Sequence, residues 1–235
     1  MADGIYVSMC GAAARSAQLE AIADNLANAQ TPGFKASRPS FESFLPASGA
    51  DDKVYPAAVA TGLDLRPGPA SQTGNPLDVL PADGAFLAVR THTGAVAYTR
   101  DGRLSIDGAQ RLVQNGNLVL DRAHQPIRIP PGAAPHIDAD GVVRAGDAVA
   151  GELGRYRLTG AVDRVGSALV APGQGGRATP VDAKVRSGEV ELGNASALEA
   201  AVEMVAAQRS FDAAMQALQT YRSMDGHGSD LGRVR

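Results

Sequence analysis

Tryptophan is absent from this sequence, cysteine occurs once, and aromatic residues make up only 4% of its 235 positions. The lone Cys10 excludes an internal disulfide framework and any cysteine-based zinc site. It reads as a small core residue and not as a reactive thiol. With so few rings, a core must be built from Ala, Val, Leu and Ile, so burial per residue is modest. A net charge of −3 offers no basic field for nucleic acid and no polybasic patch for a membrane surface. No run approaches the roughly 18 apolar residues that span a bilayer. At the N-terminus Asp3 precedes any basic residue and polar residues break the apolar stretch, unlike a secretory signal. Val7-Ser8-Met9-Cys10 lacks the basic start of a lipoprotein site. A protein of this kind that leaves the cytoplasm is expected to use a route that reads no cleaved signal.

Catalytic and metal-binding patterns are missing too. The four histidines, His92, His124, His136 and His227, are scattered without metal-ligand spacing. Asp138-Ala139-Asp140-Gly141 resembles the start of a calcium loop, but the later oxygen ligands do not follow, and a hairpin turn explains it. Gly173-Gln174-Gly175-Gly176 is followed by no Lys-Ser/Thr pair and no helix, so it reads as a loop and not as a phosphate cradle. Asp78, Asp83 and Asp101 each neighbour a turn residue, which accounts for them without catalysis. No Gly-x-Ser-x-Gly elbow or Cys–His signature occurs. No enzyme activity, cofactor, metal or small-molecule substrate is expected.

What the sequence does contain is helical periodicity at both ends. From Ile5 to Asn28 there is no Pro, and Gly occurs only at Gly11. Apolar or small residues recur at Ile5, Met9, Ala12, Ser16, Leu19, Ala23 and Leu26, in alternating steps of four and three. That is a heptad seam. Thr31-Pro32-Gly33 supplies the breakers after its end. From Ala195 to Met224 there is neither Gly nor Pro, and Ala201, Met204, Gln208, Phe211, Met215 and Leu218 repeat the alternation. Leu198, Val202 and Val205 widen that stripe. Asn194 or Ser196 can cap the start, with Glu199 placed for a capping box. Gln208 either fixes register as a buried polar residue or lies at the seam's edge. Asp225-Gly226 is expected to end the helix and leave a frayed tail.

Between the helices the pattern shortens to period two, punctuated by Asp83-Gly84, Asp101-Gly102, Asp107-Gly108, Asn115-Gly116 and Asp140-Gly141. Such pairs are the strongest short-range hairpin signal. Strands are expected over 86–90, 95–99, 118–121, 127–129, 156–158 and 168–171. The fold class is α+β: N- and C-terminal helices paired in a coiled-coil arm, with a central antiparallel β-rich domain. Residues 1–45 and 186–235 make one discontinuous helical domain, 46–75 an extended connector, and 76–185 the β-rich domain. Ala-rich helices of roughly 25 residues are marginal alone, and pairing leaves apolar flanks that need further partners. Folding back over the β domain would also bury them, and periodicity does not choose between the two.

A resemblance chooses. Ala23-Asp24-Asn25-Leu26-Ala27-Asn28, followed by Thr31-Pro32-Gly33-Phe34-Lys35, resembles the signature of flagellar rod and hook proteins, in which an Asn-Leu-Ala-Asn helix end precedes a Thr-x-Gly-aromatic-basic turn. Three further segments resemble the same family in the same order: Thr73–Val79, Tyr98-Thr99-Arg100-Asp101-Gly102, and Glu203-Met204-Val205 with Gln208-Arg209-Ser210-Phe211-Asp212. Within the family, Ile5-Tyr6, Ala12-Ala13 and Asp83–Val89 are most similar to the proximal rod proteins. Distal rod proteins carry a Gly-x-Gly-Phe-Phe run where Pro81 here replaces the first Gly, and hook proteins need room for a second outer β domain. The resemblance implies a helical arm packed in the wall of a hollow rod, in contact with copies of itself and other rod proteins. It implies Asn25, Asn28, Gly33 and Phe34 as turn residues, with Phe34 anchored in a neighbouring pocket. It also implies delivery to a periplasmic rod by the flagellar type III export apparatus. From another class, a secreted binding module or a hydrolase with helical termini is the alternative.

Overall fold

The computed structural model describes residues 2–44, 55–132 and 134–232. They form two compact units. One unit holds helix α1 (Ala2–Ala27), residues 37–62 and helix α2 (Ala197–Gly232). The other holds residues 28–36 and 63–195, and is antiparallel β structure throughout its registered strand pairs. The chain is thus α+β, with one long helix near each end.

The β-rich unit is organised on Phe86–Arg90, whose Phe-Leu-Ala-Val run is buried on both faces. Leu87 and Val89 enter one core with Leu112, Val119, Val143 and Leu153. Phe86 and Ala88 enter a second with Tyr98, Leu120, Tyr156 and Leu158. Alternation of side chains along a strand makes a continuous apolar run the mark of a strand covered on both sides. The strand pairs with Val96–Thr99, Asn117–Val119 and Arg155–Thr159. Two short ribbons close the unit: Val185–Ser187 on Val79–Pro81, and Glu189–Glu191 on Ala70–Gln72.

Three of the five expected turns are hairpins. Asn115-Gly116 joins Leu112–Gln114 to Asn117–Val119, Asp107-Gly108 joins Leu104–Ile106 to Leu112–Gln114, and Asp140-Gly141 joins Pro135–Ile137 to Val142–Ala145. Asp83-Gly84 and Asp101-Gly102 join strands that are not neighbours. Gly102 answers a different need: a Cβ there would sit 1.6 Å from the Val79 carbonyl oxygen, so it permits a close backbone crossing. The expected strand over 127–129 is instead an irregular run with isolated bridges at Pro126 and Arg128. Pro126 and Pro130 remove the amides a ladder would need, while Ile127 and Ile129 still point into the core. Within the expected connector, residues 45–54 lie outside the described residues, Tyr55–Leu63 is a strand paired with Ser37–Phe44, and Ala70–Gln72 is a strand of the β-rich unit.

Ser196 caps α2, its hydroxyl accepting from the Glu199 amide at 3.3 Å and its carbonyl from the Ala200 amide at 2.9 Å. The helix does not stop at Asp225-Gly226 but runs to Gly232. Glycine within a helix costs about 1 kcal/mol relative to alanine without blocking it, and no proline follows to do so.

Candidate functional site

Two places concentrate the residues singled out in the sequence: the helix pair, and the turn that follows α1. In the helix pair, Ile22 is buried among Leu19, Leu26, Ala200, Met204 and Ala207. Along α2 the inward positions are Ala200, Met204, Ala207, Phe211 and Leu218, with Met215 beside them half-buried. This overlaps the expected seam at Met204, Phe211, Met215 and Leu218, but Ala207 replaces Gln208 and Ala200 replaces Ala201. Gln208 is exposed. On α1, Ile22 replaces Ala23, and Met9 is exposed. The side chain of Ile5 lies outside the described residues. The doubled alanine at 200/201 leaves the choice between those two positions open in the sequence.

A second apolar stripe on α2 is left uncovered. Leu198 is 77% exposed, Val202 64% and Val205 51%. Each stands two residues before a seam position, Ala200, Met204 or Ala207. At 3.6 residues per turn that is about 200° around the helix, so the two stripes lie on opposite sides. A helix apolar on two opposite sides is built to be covered on both.

At the end of α1 the Asn25 side chain mimics a strand, donating to the Ser37 carbonyl at 2.9 Å and accepting from its amide at 2.7 Å. The turn that follows belongs to the β-rich unit. The Thr31 amide donates to the Asn28 carbonyl at 2.9 Å. The Gly33 amide donates to the Glu191 carbonyl at 2.8 Å. Gly33 has φ +71°, and a Cβ there would lie 2.2 Å from the Asp101 amide nitrogen. Phe34 is fully buried, with the Arg164 guanidinium 4.3 Å above its ring. Its pocket is in its own chain.

Beneath this turn lies a buried ion network that the sequence reading missed. The Lys35 ammonium is 2.6 Å from Glu191 Oε1 and donates to the Arg66 carbonyl at 2.8 Å. Arg100 Nε donates to Glu191 Oε2 at 2.7 Å, and its other nitrogens donate to the same oxygen and to the Ala85 carbonyl. The Gly68 amide donates to Glu191 Oε1 at 3.1 Å. Burial pushes the Glu191 carboxyl up, but hydrogen bonds and charge from Arg100 and then Lys35 outweigh it and hold the group below its ordinary range. Burial also dominates at Lys35, and Glu191 with a smaller contribution from Asp64 does not offset it with Arg100 alongside, so the ammonium falls below its ordinary range. Two cations on one carboxylate account for the direction at Glu191, and burial for the direction at Lys35. Lys35 and Arg100 were visible as motif positions, whereas Glu191 gave no local signal beyond alternating with Val190 in a strand.

Among the described residues no three His, Cys, Asp or Glu side chains cluster to hold a metal ion, and no helix is long and apolar enough to cross a membrane. Around the network stand the Arg66 and Ala85 carbonyls and the Gly68 amide, with the Asp64 carboxylate near enough to act on Lys35. The arrangement positions a turn; it offers no exposed nucleophile.

Family models match in three segments: "Flagella basal body rod protein" over residues 5–35, "Flagellar hook protein FlgE/F/G D1 domain" over 83–145, and "Flagellar basal body rod FlgEFG protein C-terminal" over 186–231. The flagellar basal-body rod protein FlgF of Mesorhizobium japonicum is 32% identical over 241 residues, covering 99% of each chain. The chain belongs to the flagellar basal-body rod protein family. The FlgF protein of Escherichia coli K12 is 33% identical over 250 residues, covering 98% of each chain. A FlgG rod protein of Buchnera aphidicola is 27% identical over 261 residues, covering 95% of this chain and 97% of its own. This rod-family chain is thus more similar to those FlgF proteins than to that FlgG protein. Lys35, Arg100 and Glu191 fall one in each matched segment, so the network ties together all three parts of the family pattern.

Proposed function

We propose that this chain is a structural, non-enzymatic subunit of the proximal rod of the bacterial flagellar basal body. In this reading α1 and α2 form a coiled-coil arm, and copies of the chain and other rod proteins cover what the arm leaves exposed. The observation that carries it is the Leu198, Val202 and Val205 stripe opposite the intramolecular seam. Covering side chains of this size contributes about 1.5–3 kcal/mol each, which favours lateral packing over a free helix. The same reading gives assembly roles to Met9, Leu19, Leu26, Phe211, Met215 and Leu218, and to Asn25, Asn28, Gly33 and Phe34 as the turn that sets where the arm begins. Head-to-tail contacts that do not close build a filament, and this reading puts that filament on the flagellar axis in the periplasm. Delivery by the flagellar export apparatus completes it. The full-length similarity to FlgF proteins supports the proximal position, and the lower-identity similarity to FlgG leaves the distal rod as the second reading.

The test is the double variant Leu198→Asp/Val205→Asp. Both side chains are exposed in the single chain, so its thermal unfolding should stay within about 0.5 kcal/mol of the parent. Its capacity to restore swimming to a strain lacking the gene should be lost. Normal swimming by this variant would contradict the proposal.

A further inference from the structure

The turn after α1 is held in large part by the last stretch of chain before α2. Three of its backbone links go there: the Gly33 amide to the Glu191 carbonyl at 2.8 Å, the Asn194 amide to the Phe34 carbonyl at 3.3 Å, and the Ala36 amide to Asn194 Oδ1 at 2.6 Å. That stretch is itself fixed by neighbours from residues 64–69. Asn194 Nδ2 donates to the carbonyls of Asp64 at 2.7 Å and Arg66 at 3.0 Å, and the Leu192 amide donates to the Pro69 carbonyl at 2.9 Å. Gly193 fits against the carbonyls of Asn28, Ala29 and Thr31, which would lie 2.8–3.2 Å from any Cβ there. The one acidic side chain of the ion network, Glu191, comes from this same stretch, and both cations, Lys35 and Arg100, come from earlier in the chain. Lys35 is eight residues beyond the end of α1, and Glu191 is six residues before the start of α2.

We propose that Glu191 closes a charge lock, so that the turn at residues 31–36 docks on the β-rich unit only once the C-terminal segment 189–194 is in place. Docking without it buries the Lys35 ammonium beside the Arg100 guanidinium without the carboxylate that bonds both, leaving only the weaker pull of Asp64 on Lys35, and leaves the amides of Gly33 and Ala36 without these acceptors. Breaking a buried ion group by removing one partner is strongly unfavourable, whereas replacing the whole group with apolar side chains is often tolerated. The approaches to both terminal helices therefore close as one step, and a chain whose last segment is not seated carries an open N-terminal turn. This holds for the single chain in solution and does not depend on the rod reading.

The experiment is limited proteolysis of the full-length chain with chymotrypsin, comparing cleavage after Phe34 with cleavage after Phe86, both assigned by mass. Both rings are buried, one in the turn and one in the central strand. Glu191→Gln should accelerate cleavage after Phe34 by about a hundredfold while cleavage after Phe86 keeps its parental rate. The charge-free variant Lys35→Met/Arg100→Met/Glu191→Leu should cut after Phe34 at least about tenfold more slowly than Glu191→Gln does. An unchanged rate after Phe34 in Glu191→Gln would overturn the lock. Should Glu191→Gln open both sites together, the charge-free variant decides: slow cleavage after Phe34 supports the charge lock, and fast cleavage there overturns it.

Discussion

The Gly33 α-carbon packs directly on the backbone of Asp101, so closely that a Cβ would lie 2.2 Å from the Asp101 amide nitrogen. Two motif segments far apart in sequence, Thr31–Lys35 and Tyr98–Gly102, thus meet at a point where no side chain fits. Gly33 also has φ +71°, which L residues with a Cβ adopt only under strain.

Gly33→Ala should therefore destabilise the chain by at least about 1–3 kcal/mol from the backbone conformation alone, with the contact at Asp101 adding to it. Thermal or urea unfolding of the purified protein measures this. A variant with parental stability would mean that the turn does not dock as described.

Acid should act on the same region through Glu191. Its folded pKa lies below the ordinary value of 4.5, held there by Arg100 and Lys35 against burial; Asp64 adds a negative charge near Lys35. A carboxyl depressed on folding contributes stability that is complete above the unfolded value and is lost as pH falls through it toward the folded value. Stability should hold level in this respect down to about pH 5 and decline below it. Glu191→Gln should be less stable at neutral pH and should flatten that decline. A parental acid limb in Glu191→Gln would assign the decline to other carboxylates.

Much of this was legible beforehand. The strand Phe86–Arg90 was visible to the residue because a continuous Phe-Leu-Ala-Val run has one physical reading when both faces are covered. Both helices were visible from their freedom from proline and their three-four spacing. Their inward faces were not legible in full, because Ala200 and Ala207 pack with Ile22 where Ala201 and Gln208 were expected, a choice made only in three dimensions. The ion network was not legible either. Lys35 and Glu191 are 156 positions apart, and nothing local marks a strand glutamate as the partner of a turn lysine. Gly33 and Phe34 were legible as turn and anchor, and the pocket beside the turn that takes the Phe34 ring lies beneath Arg164.

The seam itself can be tested by neighbours in sequence. Ala207 is buried against the other helix, whereas Gln208 is exposed. Ala207→Asp places an unpaired charge in the helix pair and should lower its stability by several kcal/mol. Gln208→Asp should cost less than about 1 kcal/mol in the isolated chain. Circular dichroism melting of both variants measures the difference. Equal losses would return Gln208 to the seam.

The most direct measurement of the central claim is quantitative mass spectrometry of purified hook–basal bodies, counting this chain against hook protein from the same particles. The proposal of a proximal rod subunit predicts a few copies per particle, well below the number of hook subunits. Several-fold more copies would move the chain to the distal rod, and its absence from intact particles would contradict a structural role in the rod.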